Sequence, residues 1–312
     1  MIMRFVIIDS AEQKKVMSIG GEGIDMPMII VAALIYGAIF PVNRIAADIG
    51  WPPLSFSFLQ SLGGAVVLAL VAFIKGERIG LTRPHLMAYI VIGGLVVGLP
   101  MGLLVTAAPH LDPSVLTLVL CLSPILTLFI GILLRIETFD RRILFGMIMG
   151  LIGIGLIVSP QTGILAPESA GWFVISLGAP VMFATANNLA QYIRPPATGS
   201  LSMAAGTLGG AAVVALVVVP LFGQAPVPEN FGQASLMPLV AAAAINAAFY
   251  VLFFEIIRRV GPAKFSFFNY LAVVAGILWS LAVFREPPPA LFWVAIIVMF
   301  IGMALALRKK SM

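Results

Sequence analysis

The sequence predicts an all-α integral membrane protein whose ten transmembrane helices form two inverted five-helix repeats around a central cavity. Three observations predict this fold class. First, 61% of the 312 residues are hydrophobic and only 10% are charged, against about 45–50% and about 25% in soluble domains. Second, the apolar residues form ten segments, each near the length of about 20 residues that crosses a bilayer. Third, almost every Lys and Arg falls on one predicted side of the membrane.

The first five predicted helices are separated by short breaks rich in Pro, Gly and charged residues. These breaks read WPP, KGERIGLTRP, APHLDP and RIETFDRR, and the fifth segment ends at SPQTG. Pro and Gly interrupt helices. Because backbone N–H and C=O groups need internal partners in lipid, each apolar segment is predicted as a helix. The segments are residues 27–48, 53–74, 86–108, 113–134 and 142–159.

The same kinds of break separate five further segments. They read RPPATG, GQAPVPEN, RRVGP and REPPP. Every connection is short, so we expect no soluble domain outside the membrane. The segments are residues 170–193, 200–222, 235–258, 262–284 and 290–308.

Basic residues orient these helices, because Lys and Arg concentrate in the cytoplasmic loops of membrane proteins. With the N-terminus in the cytoplasm, 16 of the 18 Lys and Arg residues fall on the inner side, and only Arg44 and Arg285 fall outside. Residues 1–26 have no long apolar core before a small-residue cleavage site. We interpret them as a cytoplasmic leader and predict that both termini are cytoplasmic.

The two halves share three landmarks at a spacing of 149 residues. A Pro opens a helix, a Glu closes it, and a Gly lies in the helix that follows. Because each half has an odd number of helices, the halves cross the membrane in opposite directions. Inverted repeats are typical of transporters, with a substrate site near the midplane. The predicted repeats are residues 27–159 and 170–308, and the landmarks are Pro113 and Pro262, Glu137 and Glu286, and Gly153 and Gly302.

This pattern, with Glu137 and Glu286 ending the fourth helix of each half, resembles the EamA-type drug/metabolite transporter superfamily. The resemblance covers residues 27–308. Within the superfamily, the sequence is most similar overall to bacterial exporters of aromatic amino acids. The resemblance implies a bacterial inner-membrane transporter that exports small metabolites by alternating access.

Polar side chains deep in the predicted helices mark a candidate substrate cavity. The stretch ATANNLAQY, residues 184–192, carries three amides, and other helices carry amides or phenols at similar depth. An amide that faces lipid without a partner is costly. These side chains therefore face a cavity or, alternatively, bond to a neighbouring helix. The candidate substrate-binding residues are Tyr36, Asn43, Gln60, Asn187, Asn188, Asn246, Tyr250, Asn269, Tyr270 and Trp279.

Aromatic side chains accompany the amides in the eighth and ninth predicted helices. Tyr250 lies one helical turn from Asn246 and Phe253 and shares their face. A cavity with aromatic walls and a few amides suits an amphipathic metabolite or an organic cation. The alternative is that the aromatic side chains pack helices together or face lipid. The group comprises Phe249, Tyr250, Phe253, Phe254, Phe265, Phe267, Phe268, Tyr270 and Trp279.

No Asp, Glu or Lys lies near the middle of a predicted helix. Intramembrane carboxylates are the usual proton relays of coupled transporters. Their absence favours a facilitator, with a proton-coupled antiporter as the alternative. Glu255 is expected to pair locally with Arg258 and Arg259. The sequence has no deep Lys or Arg for a sugar phosphate and no GxSxG or metal-diphosphate motif of a membrane enzyme. We expect no enzyme activity, cofactor, metal or nucleic-acid partner.

Proline and glycine residues mark candidate moving and packing elements. A Pro inside a helix removes a backbone hydrogen bond and kinks the helix, so such residues are candidate gate hinges or, alternatively, static kinks. Two GxxxG spacings predict close helix contacts, namely Gly146 with Gly150 and Gly206 with Gly210. The first is also a candidate homodimer face. The candidate hinges are Pro41, Pro100, Pro124 and Pro180.

Overall fold

The structure, a computed structural model, describes residues 25–111, 113–158, 169–227, 233–285, 287–288 and 291–307. Nearly all of the predicted leader, and also Glu286, lie outside these ranges. The described residues form helices and connecting turns, with no strand among them. The helical segments, numbered in chain order, are α1 (Met26–Asp48), α2 (Pro53–Ile74), α3 (Arg83–His110), α4 (Val115–Leu133), α5 (Arg141–Val158), α6 (Ala170–Tyr192), α7 (Ser200–Leu221), α8 (Gln233–Val260), α9 (Pro262–Phe284) and α10 (Phe292–Leu307).

Eight helices in the described part of the chain are long and apolar enough to cross a membrane. They are α1 to α4 and α6 to α9, and they confirm the prediction of an all-helical membrane protein. The two remaining segments, α5 with 18 residues and α10 with 16, fall outside that set. They lie where the sequence predicts the fifth and tenth spans.

The candidate hinge prolines lie at breaks in four of the long helices. In α1, α4 and α6 a short turn interrupts the α-helix, and in α3 a π-helical segment, Gly94–Gly98, does so. The second α-helical pieces begin at Ile39 in α1, Leu99 in α3, Ser123 in α4 and Gly178 in α6. The proline is the second or third residue of that piece. Pro fits the first turn of a helix because its missing N–H has no partner to lose there. The sequence thus predicts where these helices break, and movement at the breaks stays a prediction. The four prolines are Pro41, Pro100, Pro124 and Pro180.

The helices of the two halves interleave. α5 packs along α10, and α2 packs along α7. α3 contacts α6 and α7, whereas α8 contacts α1 and α2. α1 also packs on α9, and α4 packs on α6. Each of these contacts joins a helix of the first half to a helix of the second, so the bundle has one shared interior.

Glycine residues allow close contact at two of these crossings. A Cβ atom added to Gly93 of α3 would lie 2.4 Å from the backbone N of Ala211, so α3 and α7 meet at their backbones. A Cβ atom on Gly146 of α5 would lie 2.5 Å from the carbonyl O of Gly302 in α10. Gly150 lies against the ring of Tyr270. The face that carries Gly146 and Gly150 is therefore covered by the same chain and is not available to a second copy.

The α3–α7 contact predicts a sharp difference between two adjacent glycines. Gly210→Ala is expected to lower the thermal unfolding temperature of the purified protein, because its Cβ would lie 2.2 Å from the carbonyl O of Tyr89. Gly209→Ala is the matched control, since nothing lies within 4 Å of a Cβ there. Ala is favoured over Gly in a helix by about 1 kcal/mol, so this control should unfold at the same temperature as the wild type or higher. Equal unfolding temperatures for the two variants would contradict the close helix contact.

Candidate functional site

A cavity of about 290 Å³ lies inside the bundle. Residues of α1, α3, α4, α6, α8 and α9 form its walls. Half of the ten predicted substrate-binding residues line it, although they come from four separate helices. These five are Tyr36, Asn43, Asn187, Tyr250 and Asn269.

Aromatic rings form a continuous part of this wall. The rings of Tyr36 and Phe249 lie 4.4 Å apart between centroids, and Phe249 stacks on Phe268 at 4.7 Å. Phe268 stacks in turn on Phe265 at 5.2 Å, and Phe265 meets Phe253 edge to face at 5.0 Å. All five side chains border the cavity. For these five residues the two alternatives are not exclusive, because the same rings line the cavity and pack helices together.

The two ends of the cavity differ in exposure. Phe40 and Asn43, near the end of α1, are exposed, with 43% of Phe40 accessible. Phe253 and Phe265, at the opposite end, are 3% and 1% accessible. We call the Asn43 end, where lining side chains are exposed, the open end of the cavity, and the Phe265 end, where the lining is buried among phenyl rings, the closed end.

Asn187 and Asn188 are neighbours in the sequence but occupy different environments. Asn187 borders the cavity, and its Nδ2 donates to Thr127 Oγ1 at 3.3 Å. Asn188 is fully buried against α4, and its Nδ2 donates to the carbonyl oxygens of Thr127 at 3.0 Å and Ala184 at 2.9 Å. Because successive residues of a helix lie about 100° apart, one amide faces the cavity while the next joins α6 to α4.

The other predicted residues lie outside the cavity lining. Asn246 Nδ2 donates to Gln60 Oε1 at 2.9 Å and thereby joins α8 to α2. The hydroxyl of Tyr270 donates to the carbonyl of Met147 in α5 at 2.9 Å. These are the contacts expected under the alternative of interhelical hydrogen bonding.

Trp279 is also away from the cavity lining. Its indole N–H donates to the carbonyl O of Leu34 in α1 at 2.9 Å, and 41% of the residue is exposed. Its contact therefore joins α9 to α1 at the outside of the bundle. A role for Gln60, Asn188, Asn246, Tyr270 or Trp279 in substrate binding stays a prediction.

Sequence reasoning missed part of the wall. The missed residues are apolar or weakly polar, and only the direction in which each side chain points distinguishes them from lipid-facing neighbours. When a helix is apolar on every face, its sequence does not show which side chains point toward the cavity. The missed lining residues include Phe40, Val96, Met101, Thr117, Leu120, Cys121 and Phe183.

The closed end is tied together by a carboxyl group. Glu137, in the turn after α4, accepts a hydrogen bond from the backbone N–H of Ala263 at 3.1 Å. Ala263 lies in the first turn of α9 and is fully buried. This bond joins the end of α4 to the start of α9 beside the phenyl rings.

A second, larger cavity of about 1120 Å³ lies between α2, α6, α7 and α8. Glu255 at its wall bonds Arg259 at 2.7 Å and accepts from Ser200 Oγ at 2.9 Å, so the predicted local ion pair is present. Arg194 donates to the carbonyl oxygens of Thr198 and Phe254. Burial lowers the pKa of Arg194 to about 10, which leaves the guanidinium charged at neutral pH.

Comparison with known proteins agrees with this architecture. The model of the EamA-like transporter family matches residues 24–159 and again residues 170–308. The chain is 27% identical over 287 residues to an uncharacterized inner membrane transporter, YedA of Escherichia coli K12, covering 89% of this chain and 88% of the relative. It is 24% identical over 261 residues to an uncharacterized transporter, YyaM of Bacillus subtilis, covering 80% of this chain and 83% of the relative.

A solved crystal structure shares the fold. It superposes with a TM-score of 0.77 at 19% identity and covers 92% of this chain and 99% of its own chain. The two matches of the family model together span most of the sequence and all ten helical segments. This chain is a membrane transporter and belongs to the EamA-like transporter family.

Proposed function

We propose that this transporter exports amphipathic metabolites, amino acids and especially aromatic ones among them, across a bacterial inner membrane by alternating access. The observation that carries the proposal is the cavity whose wall combines aromatic rings with the amides of Asn43, Asn187 and Asn269. The rings suit an aromatic side chain or an ammonium group. The amides offer hydrogen bonds to amino and carboxylate groups.

The lining also argues for a facilitator. None of the described residues that line the cavity is Asp, Glu, Lys, Arg or His. Proton-coupled carriers usually hold an ionisable group inside the membrane. Because this wall has none, a neutral or zwitterionic substrate moving down its own gradient fits it best, and a proton-coupled antiporter is the second candidate.

Two findings support ten spans in two inverted repeats. The family model matches the chain twice, once in each half. The helix contacts also keep their pattern when each helix of one half is exchanged for its counterpart in the other. The contact of α3 with α7 becomes that of α8 with α2, and the contact of α1 with α9 becomes that of α6 with α4. Under this proposal α5 and α10 are the remaining spans.

The basic residues supply the proposed orientation. Lys75, Arg135 and Arg194 follow helices at the closed, Glu137 end, and Lys264 lies in the first turn of α9 there. Arg44 lies at the Asn43 end. The positive-inside rule then places the closed end in the cytoplasm. The cavity would face outward, with the cytoplasmic gate shut.

Reconstitution into liposomes tests the proposal. Uptake of labelled Phe, Trp, Thr, Ala and a cationic drug is measured with and without a proton gradient. We expect downhill flux of Phe and Trp without a gradient, exceeding that of Ala. Accumulation that requires the gradient would favour the antiporter. Flux of the drug alone would overturn the amino-acid assignment.

A further inference from the structure

Two buried amide oxygens at the cytoplasmic end of α6 have no hydrogen-bond donor among the described residues. They are Asn188 Oδ1 and Gln191 Oε1. Asn188 cannot gain a donor by turning its amide over, because its Nδ2 already donates to the carbonyls of Thr127 and Ala184. A buried acceptor without a partner is costly. Each of the two oxygens therefore needs a hydrogen-bond donor that the described groups do not supply.

The side chain of Glu137 shares near neighbours with both oxygens. A Cβ atom on Gly131 of α4 would lie 2.8 Å from Asn188 Oδ1 and 2.8 Å from Glu137 Cγ. A Cβ atom on Gly261, just before α9, would lie 2.9 Å from Glu137 Oε1 and 3.9 Å from Gln191 Oε1. The three groups thus surround the junction of α4, α6 and α9.

An ionised carboxylate only accepts hydrogen bonds, whereas a protonated one also donates. We propose that Glu137 is a proton-binding site that latches the cytoplasmic end of the transporter shut. In the latched form, one oxygen accepts the N–H of Ala263, and the protonated oxygen donates to Asn188 or Gln191 of α6. The bound proton thereby links α6 to the existing contact between α4 and α9. The cytoplasmic placement of this latch rests on the proposed function.

Burial raises the pKa of Glu137, and the Ala263 N–H and the charge of Lys264 oppose that effect. Lys264 is the charged group of α9 that acts on the site. On the other packed faces, α4 presents Gly131 and α6 presents the two amides. Gln191 also borders the larger cavity, through which we expect protons to reach the site.

The direction of the pH effect follows from the different environments of Glu137 in the closed and open states of the cytoplasmic end. Opening the cytoplasmic end separates α4 from α6 and α9 and exposes Glu137 to water, where its pKa returns toward its ordinary value. The closed state therefore binds the proton more tightly than the open state. Acidification on the cytoplasmic side stabilises the closed state, and raising the pH through the closed-state pKa favours opening. Each unit of pKa difference changes the ratio of closed to open states by about tenfold.

Glu137→Gln imitates the protonated carboxyl group, since an amide both accepts and donates. The readout is the accessibility of a cysteine, so that it does not depend on the substrate. Ser266→Cys, in a background of Cys121→Ala, places a nearly isosteric thiol at a fully buried position between α9's two helical pieces. Its reaction with a thiol reagent reports opening of this end.

With Glu137 present, we expect the cytoplasmic end to be open for a larger fraction of the time as the pH increases from 5 to 8. The labelling rate of the cysteine, corrected for thiol ionisation, should therefore rise over the same range. The rise is expected to be about tenfold per unit of pKa difference. With Glu137→Gln the corrected rate should stay low throughout. The same corrected pH profile in both proteins would overturn the latch. A flat profile for Glu137 would overturn it as well.

A second variant tests the acceptor side. Gln191→Leu removes one amide oxygen, so the corrected labelling rate should rise at a lower pH than with Gln191 present. An unchanged profile in both Gln191→Leu and the corresponding Asn188→Leu variant would exclude the amides as partners. Amino-acid flux measured on the same proteins separates the two proposals. If no tested substrate is transported while the labelling profile still depends on Glu137, the proposed function is rejected and the latch is retained.

Discussion

Replacing Asn187 and Asn269 together by Leu is expected to lower phenylalanine flux about fivefold to a hundredfold. Both amides line the cavity, and each hydrogen bond to a substrate is worth about 0.5–1.5 kcal/mol, with about 1.4 kcal/mol for each factor of ten. The measurement is initial uptake by liposomes that contain equal amounts of folded protein. It addresses whether the cavity binds the substrate.

Thr185→Val is the control for this pair, because Thr185 lies on the same helix as Asn187 but outside the cavity lining, and its hydroxyl donates to the carbonyl O of Val181 within that helix. Its flux should stay close to that of the wild type. If the double variant is folded and transports at the wild-type rate, Asn187 and Asn269 are packing residues and not substrate ligands.

A thiol reagent applied from the outer side is expected to block transport almost completely in a variant with Asn43→Cys and Cys121→Ala. Cys121 is the only natural cysteine, and Asn43 is exposed at the open end of the cavity. A bulky, membrane-impermeant adduct there would occupy the entrance. Flux after treatment of each side in turn is the measurement.

Cys121→Ala without the new cysteine should keep its flux under the same treatment. Reagent applied only from the inner side should leave the double variant active, because under alternating access the Asn43 end is shut whenever the cytoplasmic end opens. Block from the inner side and protection on the outer side would reverse the proposed orientation.

The fold was predictable because its signals are local and strong. Apolar length marks the spans, and Pro100 and Pro124 each lie at the second position of a new helical piece, as their missing N–H groups require. Helix length alone does not determine the number of membrane-crossing helices, since α10 has 16 residues.

The rotation of each helix could not be read in the same way. Asn187 and Asn188 are identical residues at adjacent positions, yet only Asn187 borders the cavity. Because lipid-facing and packed surfaces are both apolar, the sequence has no polar face that would indicate how each helix is rotated about its axis. For the same reason Phe183 and Cys121 were missed, although both line the wall.

Long-range pairing also lies beyond sequence reasoning from one chain. Asn246 finds Gln60 across 186 positions, and this bond removes both amides from the cavity lining. The sequence predicts that Glu137 ends the fourth helix of the first half, whereas its contact with Ala263 in the other half appears only in the folded bundle. Such pairs form because buried polar groups seek partners, and the partner depends on the tertiary packing.

The most direct test of the account is substrate protection of the cavity entrance. The rate at which an external thiol reagent modifies Asn43→Cys in the Cys121→Ala background is measured with increasing phenylalanine, and with glucose as the control solute. The account predicts that phenylalanine slows modification in a saturable way and that glucose does not. An unchanged rate at phenylalanine concentrations that saturate transport would contradict the claim that this cavity is the transport site.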